Sequence, residues 1–316
     1  ITSDGTSVYI GRDTTNTPLT ATLGSSTTSA YGTETPDILA VVAGRMIGAD
    51  ANSIYELDSS GAKVSSSLDF SFSLSSTTWV AVTAASNGIY AAANADNTGA
   101  LYYIGVNNAD GTLRTPTIAA SLPRNETINA IISYAGLIGV ATSVGFRLAL
   151  IDQSSSGLTL GPAIDTAGEV YSLEADGRFI WFGADNAQVY RADLSKFTEI
   201  LVPAYASDLQ MSGTVAAGDK VVSLARLNNS SDPKLFLAVN KASGAGVLYK
   251  ESYTGVKVSS GELIAGECTW STVVPKLLRS GVIDLDRSQY ERSKTPYRES
   301  GTDYTDGDNT YTLGEE

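Results

Sequence analysis

Carboxylates and phenols are the side chains present in numbers that could support acid–base, nucleophilic or metal chemistry in this chain. Its 34 Asp and Glu and 16 Tyr stand beside 21 Lys and Arg, one Cys and no His. The lack of histidine removes the commonest general base, the commonest metal ligand and every His-containing triad. Cys268, the single cysteine, permits no intrachain disulfide and no Cys-based zinc site. What remains is chemistry carried by paired acids, or by an acid and a tyrosine, as in glycoside hydrolysis. No motif in the sequence pairs such residues. The sequence therefore predicts no catalytic residue, no cofactor site and no metal site, and the chain is expected not to be an enzyme.

Two eleven-residue segments place aspartates and a tyrosine at the same spacing. One runs from Gly48-Ala49-Asp50 through Ile54-Tyr55 to Asp58, the other from Gly183-Ala184-Asp185 through Val189-Tyr190 to Asp193. A ring of carboxylates at such equivalent places could hold a cation. The simpler expectation is that Asp50 and Asp185 accept hydrogen bonds from turn amides, with Gly11-Arg12-Asp13 as a related case. A third acidic group, Asp303, Asp306 and Asp308, has the oxygen density calcium requires. It lacks the alternating Asp register and the distal Glu of a calcium loop, so a solvated turn is expected.

Elements that recur at a fixed interval must position these residues. Each segment follows a Gly-Arg-apolar-Ile opening, Gly44 to Ile47 or Gly177 to Ile180, and weaker openings stand at Gly5, Gly88, Gly136 and Gly218. The six are separated by 39, 44, 48, 41 and 41 residues. Around the second, Ile38–Val42, Arg45–Ile47, Ser53–Leu57 and a strand beginning at Lys63-Val64-Ser65 read as four strands joined by tight turns. Around the fifth, Glu169–Leu173, Arg178–Phe182, Gln188–Arg191 and Thr198–Val202 read the same way. Four-stranded units at a period near 40 to 45 residues predict an all-β fold, a β-propeller. Counting Gly261 as a seventh anchor predicts seven blades over residues 1–286, with Val282–Leu285 closing the ring. Six is the alternative if Leu263 already starts another domain. Residues 287–316, charged and poor in aliphatics, are expected to form an extended tail or the start of a further domain.

Composition agrees with an all-β chain rich in turns. Charged residues make up 17%, and short Val, Ile, Thr and Tyr runs are split by Gly, Asn and Asp. A net charge of −13 without clustered Lys and Arg excludes nucleic-acid binding through phosphates and disfavours anionic partners. The apolar stretch Ile128–Ile151 is long enough to span a bilayer, but Asn129, Arg147 and glycines 136, 139 and 145 interrupt it. A two-strand blade interior is expected, with Gly136 and Gly139 in turns. The chain opens at Ile1 without an initiator Met or leader pattern, which predicts either a processed chain or an excerpt of a longer polypeptide, the excerpt being favoured.

Aromatics are the remaining chemical handle, since sugar rings stack on exposed aromatic faces. Trp181, within Phe179–Phe182, is expected in the core; Trp79 and Trp270 are open candidates. Asn125-Glu126-Thr127 and Asn229-Ser230-Ser231 fit the glycosylation sequon, a frequent pattern that informs only in a secretory context. The Ser-x-Asp-x-Gly-x-x-Trp turn of sialidase blades is not present in the sequence.

Gly261-Glu262-Leu263-Ile264-Ala265-Gly266-Glu267, followed by Val274-Pro275-Lys276-Leu277-Leu278-Arg279, resembles the junction after the propeller in minor tail proteins of long-tailed phages that infect actinobacteria. The blades with Gly-Arg-apolar openings are similar to those proteins over most of the chain. The resemblance implies a virion structural protein of the tail tip or its fibres that contacts the host envelope. It also implies partners among other tail proteins, envelope polysaccharide as a ligand, oligomerisation through parts outside this chain, and a longer parent. No functional residue carries over, because the shared pattern is structural. The runner-up expectation is a secreted or cell-surface bacterial propeller that binds or hydrolyses carbohydrate.

Overall fold

A computed structural model describes residues 1–11, 16–25, 27–152, 156–166, 168–209, 215–227 and 234–251, and the backbone of 303–306 and 309–312. The chain forms two compact units, Ile1–Val258 and Ser259–Glu316. The expected boundary at 286 lies outside the described residues.

The first unit is a succession of antiparallel meanders. Blade 1 comprises β1 (Thr2–Ser3), β2 (Ser7–Ile10), β3 (Leu19–Thr22) and β4 (Ser29–Ala30), and blade 2 comprises β5 (Ile38–Val42), β6 (Arg45–Asp50), β7 (Ser53–Leu57) and β8 (Asp69–Ser71). Blade 3 holds β9 (Thr77–Ala85), β10 (Gly88–Ala95), β11 (Thr98–Ile104) and β12 (Thr117–Ser121), and blade 4 holds β13 (Ile128–Tyr134), β14 (Leu137–Thr142), β15 (Gly145–Ile151) and β16 (Leu158–Leu160). Blade 5 consists of β17 (Val170–Asp176), β18 (Phe179–Ala184), β19 (Val189–Phe197) and β20 (Pro203–Leu209), and blade 6 of β21 (Lys220–Leu227), β22 (Lys234–Asn240) and β23 (Gly246–Lys250). Each sheet pairs its strands in chain order, and the first strand of each blade packs against the first strand of the next. The fold is a six-bladed β-propeller; the Gly261 anchor on which a count of seven depends lies outside the described residues. In the second unit, β24 (Asp303–Asp306) and β25 (Asn309–Thr312) pair as a hairpin.

The glycine period reflects backbone geometry. Gly5, Gly44, Gly88, Gly136, Gly177 and Gly218 all have positive φ, which a residue without Cβ adopts at no steric cost. Ala43-Gly44 and Ala135-Gly136 form two-residue hairpins with φ of 50° and 73°, and 51° and 79°, the twist-matched turn between antiparallel strands. Four of the six anchors, Gly5, Gly44, Gly136 and Gly177, lie between first and second strands, and Gly88 opens the second strand of blade 3. Gly218 instead precedes the first strand of blade 6.

Three expectations shift in detail. Ile128–Ile151 forms three strands rather than two, and Gly139 lies inside β14, where an added Cβ would stand 2.6 Å from Ile180 Cδ1. The fourth strand of blade 2 begins at Asp69, because Lys63 makes only an isolated bridge to Leu57. That of blade 5 begins at Pro203, because Thr198 to Val202 close a turn with Leu201 at φ 65°.

Packing occurs between blades. Tyr9 and Tyr31 of blade 1 meet edge to face at 4.8 Å in a cluster with Tyr55 of blade 2. Phe146 of blade 4 stacks on Phe182 of blade 5 with ring centroids 4.5 Å apart. Side chains of this size contribute about 1.5–3 kcal/mol each when fully buried.

Candidate functional site

Four consecutive blades interrupt the first strand with a one-residue bulge, at Val80, Asn129, Tyr171 and Val222. A bulge re-aims the extra side chain out of the ladder. At Tyr171 it gathers groups from three blades near the starts of their first strands.

The Tyr171 hydroxyl lies 2.9 Å from Glu169 Oε2 and 2.9 Å from Asp185 Oδ1. The other Glu169 oxygen accepts from Asn129 Nδ2 of blade 4 at 2.8 Å, and the other Asp185 oxygen accepts from the Glu169 amide at 3.1 Å. Lys220 of blade 6 sits 4.6 Å from the Tyr171 ring centroid. Gly168 allows this approach, since a Cβ there would stand 2.7 Å from Asp185 Oδ2. One phenolic proton serves two carboxylates. Burial first, then the hydrogen bonds to Asp185 and Glu169 and their negative charge, push the Tyr171 hydroxyl well above its ordinary value. It stays protonated and acts as a donor rather than as a phenolate nucleophile.

Among the described residues most other ion pairs fasten strands within one blade, and Arg45 and Arg226 reach between blades. Arg147 Nε and Nη2 donate to the two oxygens of Glu126 at 2.7 Å each, and its Nη1 donates to the Gly161 carbonyl at 2.8 Å. Arg45 donates to Glu56 at 2.6 Å and also to the Gly111 carbonyl of blade 3. Arg226 of blade 6 lies 2.7 Å from Asp176 of blade 5 and 4.9 Å over the Trp181 ring. Trp181 donates Nε1–H to Asp208 at 2.8 Å.

The aspartates of the repeated segment divide their work differently from the expectation. Asp50 and Asp185 accept from tyrosine hydroxyls, Tyr55 at 3.1 Å and Tyr171 at 2.9 Å. The closing aspartates, Asp58 and Asp193, take the turn amides of Ser60 and Ser195 at 2.8 and 2.9 Å and also their hydroxyls. Among the described residues no group of three His, Cys, Asp or Glu side chains is placed to hold a metal ion. Arg12, Asp13, Asp308, Asn229, Cys268 and Trp270 lie outside the described residues. Asp303 and Asp306 belong to β24. Trp79 and Trp181 are both buried, so neither is an open stacking platform. No helix among the described residues is long and apolar enough to cross a membrane.

Asn129, Glu169, Tyr171 and Lys220 did not stand out in the sequence. Their one signal is Asn129, a polar residue inside an apolar strand.

No protein-family model and no curated protein matches the sequence. Among solved structures, a protein from Lactobacillus plantarum is similar at 14% identity with a TM-score of 0.53, covering 76% of this chain and 79% of that one. The WD40 domain of Neurospora crassa Pan2 is similar at 13% identity and TM-score 0.48, covering 81% of this chain and 78% of that one. A computationally designed protein, Ika8, follows at 10% identity and TM-score 0.48, covering 77% and 68%. At 14% identity the likeness to the Lactobacillus plantarum protein concerns the fold alone.

Proposed function

We propose that this chain is a non-enzymatic structural and recognition module of a phage tail tip that contacts the host cell surface. The observation that supports it most is the fastening of neighbouring blades by side chains that cross between them. Asn129 Nδ2 donates to the Val170 carbonyl at 2.8 Å, the Tyr134 hydroxyl to the Gly177 carbonyl at 3.0 Å, and Ser172 Oγ to the Val221 carbonyl at 2.8 Å. Rigid blades hold connecting loops in fixed positions, and loops on a rigid scaffold are where recognition is usually built. Weak contacts of this kind become useful when several copies act together on one particle. The net charge of −13 directs such a surface toward uncharged or cationic partners.

A carbohydrate-cleaving reading draws on one observation, the convergence of Glu169 and Asp185 on the Tyr171 hydroxyl. The raised Tyr171 value weakens it, because a nucleophilic phenol must lose its proton. Gold-labelled antibodies against the purified chain test the proposal on particles whose genome encodes it. Label at the distal tail is expected; label confined to the bacterial surface or medium would overturn it in favour of a secreted propeller.

A further inference from the structure

An open cleft of about 350 Å³ lies at the outer strands of blade 1, with Ser59 of blade 2 at its edge. The size is at the small end of the range for small-molecule sites. Its lining comes from sheet register. Ser7 stands opposite Thr22, Tyr9 opposite Thr20, and Thr20 opposite Ser29, so these side chains share one sheet face. Tyr9 and Tyr31 are buried beneath it as an edge-to-face pair.

The polar groups of the lining divide into spent and unspent. Tyr9 donates to Asp4 at 2.9 Å, Tyr31 to the Asp58 carbonyl at 2.7 Å, and Ser25 pairs with Thr27 at 2.9 Å. The hydroxyls of Thr20, Thr22 and Ser29 face the cleft without such a bond. Each hydroxyl can donate one hydrogen bond and accept others, so the row answers groups that do both. Among the described residues no Lys or Arg lines the cleft, and Asp4 and Asp58 stand behind its two tyrosines, which disfavours an anion. No carboxylate among the described residues lines it either, which gives a cation no partner there, and a mostly hydroxyl lining suits no apolar molecule.

We infer that the cleft lined by Thr20, Thr22 and Ser29 binds a neutral oligosaccharide, a polyhydroxylated chain whose hydroxyls exchange hydrogen bonds with this sheet face. This rests on the recognition reading above and gives it a ligand class and a place.

The experiment titrates the whole chain with maltohexaose, cellohexaose, mannohexaose and, as the acidic control, hexagalacturonate, using saturation-transfer NMR and calorimetry. The same titrations are made on Thr20→Val/Ser29→Ala, which removes two hydroxyls while keeping a strand-favouring side chain at position 20. Binding of at least one neutral hexasaccharide, weakened roughly tenfold or more in the double variant, is expected from two lost hydrogen bonds. No neutral binding, binding of hexagalacturonate alone, or unchanged affinity in the folded double variant would overturn the inference. Binding to intact cells separates it from the reading it rests on. Cells that bind the double variant as well as the unaltered chain leave the recognition reading in place and overturn the cleft as its site. Cells that bind neither, with hydroxyl-dependent oligosaccharide binding retained, uphold the cleft and overturn the recognition reading.

Discussion

Val189 and Leu248 occupy the same place in adjacent blades, yet Val189 is fully buried and Leu248 is 72% exposed. The bulges fix the equivalence. In blade 5 the residue after the bulge, Ser172, pairs with Gly183, which pairs with Val189. In blade 6 Ser223 pairs with Ala238, which pairs with Leu248. The same rule selects Leu101 in blade 3 and Phe146 in blade 4, both fully buried. Each buried member is covered by the following blade: Leu101 by Ile128 and Ile138, Phe146 by Phe182, Val189 by Val221 and Leu237. No following blade covers Leu248 among the described residues.

Burial therefore decides the cost of truncation at these equivalent places. Phe146→Ala should lower stability by about 3–5 kcal/mol and Leu101→Ala by about 2–5 kcal/mol, whereas Leu248→Ser should stay within about 0.5 kcal/mol of the unaltered chain. Urea unfolding of the three variants checks this, and a loss at Leu248 as large as at Phe146 would contradict it.

The Glu126–Arg147 pair is nearly closed to water, with side chains 3% and 12% exposed. Removing one member strands the other charge inside blade 4, so Glu126→Ala should cost about 3–5 kcal/mol. Replacing both, as Glu126→Leu/Arg147→Met, should recover most of that loss in the same unfolding assay.

Asp219 accepts from the Ala216 and Ala242 amides and from Lys241, and these hold its carboxyl at about 2, below the ordinary 3.8. A lowered value in the folded state adds stability above the unfolded value and loses it as pH falls through the folded one. The contribution is complete at neutral pH and disappears between about pH 4 and pH 2. Asp219→Asn should lower stability at pH 7 and flatten the acid limb in that window. An unchanged acid limb would count against this role.

Gly183 packs where an added Cβ would meet Val221 Cγ1 at 2.5 Å and Ser172 Oγ at 2.7 Å. Gly183→Ala should thus wedge blade 5 from blade 6 and cost about 1–3 kcal/mol. Val221→Ala in the Gly183→Ala background should return part of that loss, measured as a rise in the thermal midpoint.

The fold was legible in the sequence because its repeat follows a local requirement. A chain that turns with positive φ needs glycine or a tolerant neighbour at the turn, so Gly44, Gly136 and Gly177 mark strand junctions without any long-range information. The acidic–tyrosine cluster was not legible for the converse reason. Tyr171 reaches Glu169 and Asp185 through a bulge, which breaks the alternation by which side chains are assigned to faces. Asn129 and Lys220 arrive from other blades, far away in sequence. Asp185 did attract notice, but its repeat with Asp50 indicated a turn, and only the folded strands bring a tyrosine to each.

Binding to intact actinobacterial cells and to their isolated envelope polysaccharide, with the labelled chain as monomer and as an artificial trimer, tests the central claim most directly. The account predicts saturable binding that strengthens on trimerisation and releases no sugar. Absence of binding in both forms would contradict a recognition role, and release of sugar that stops in Asp185→Asn would contradict the non-enzymatic reading.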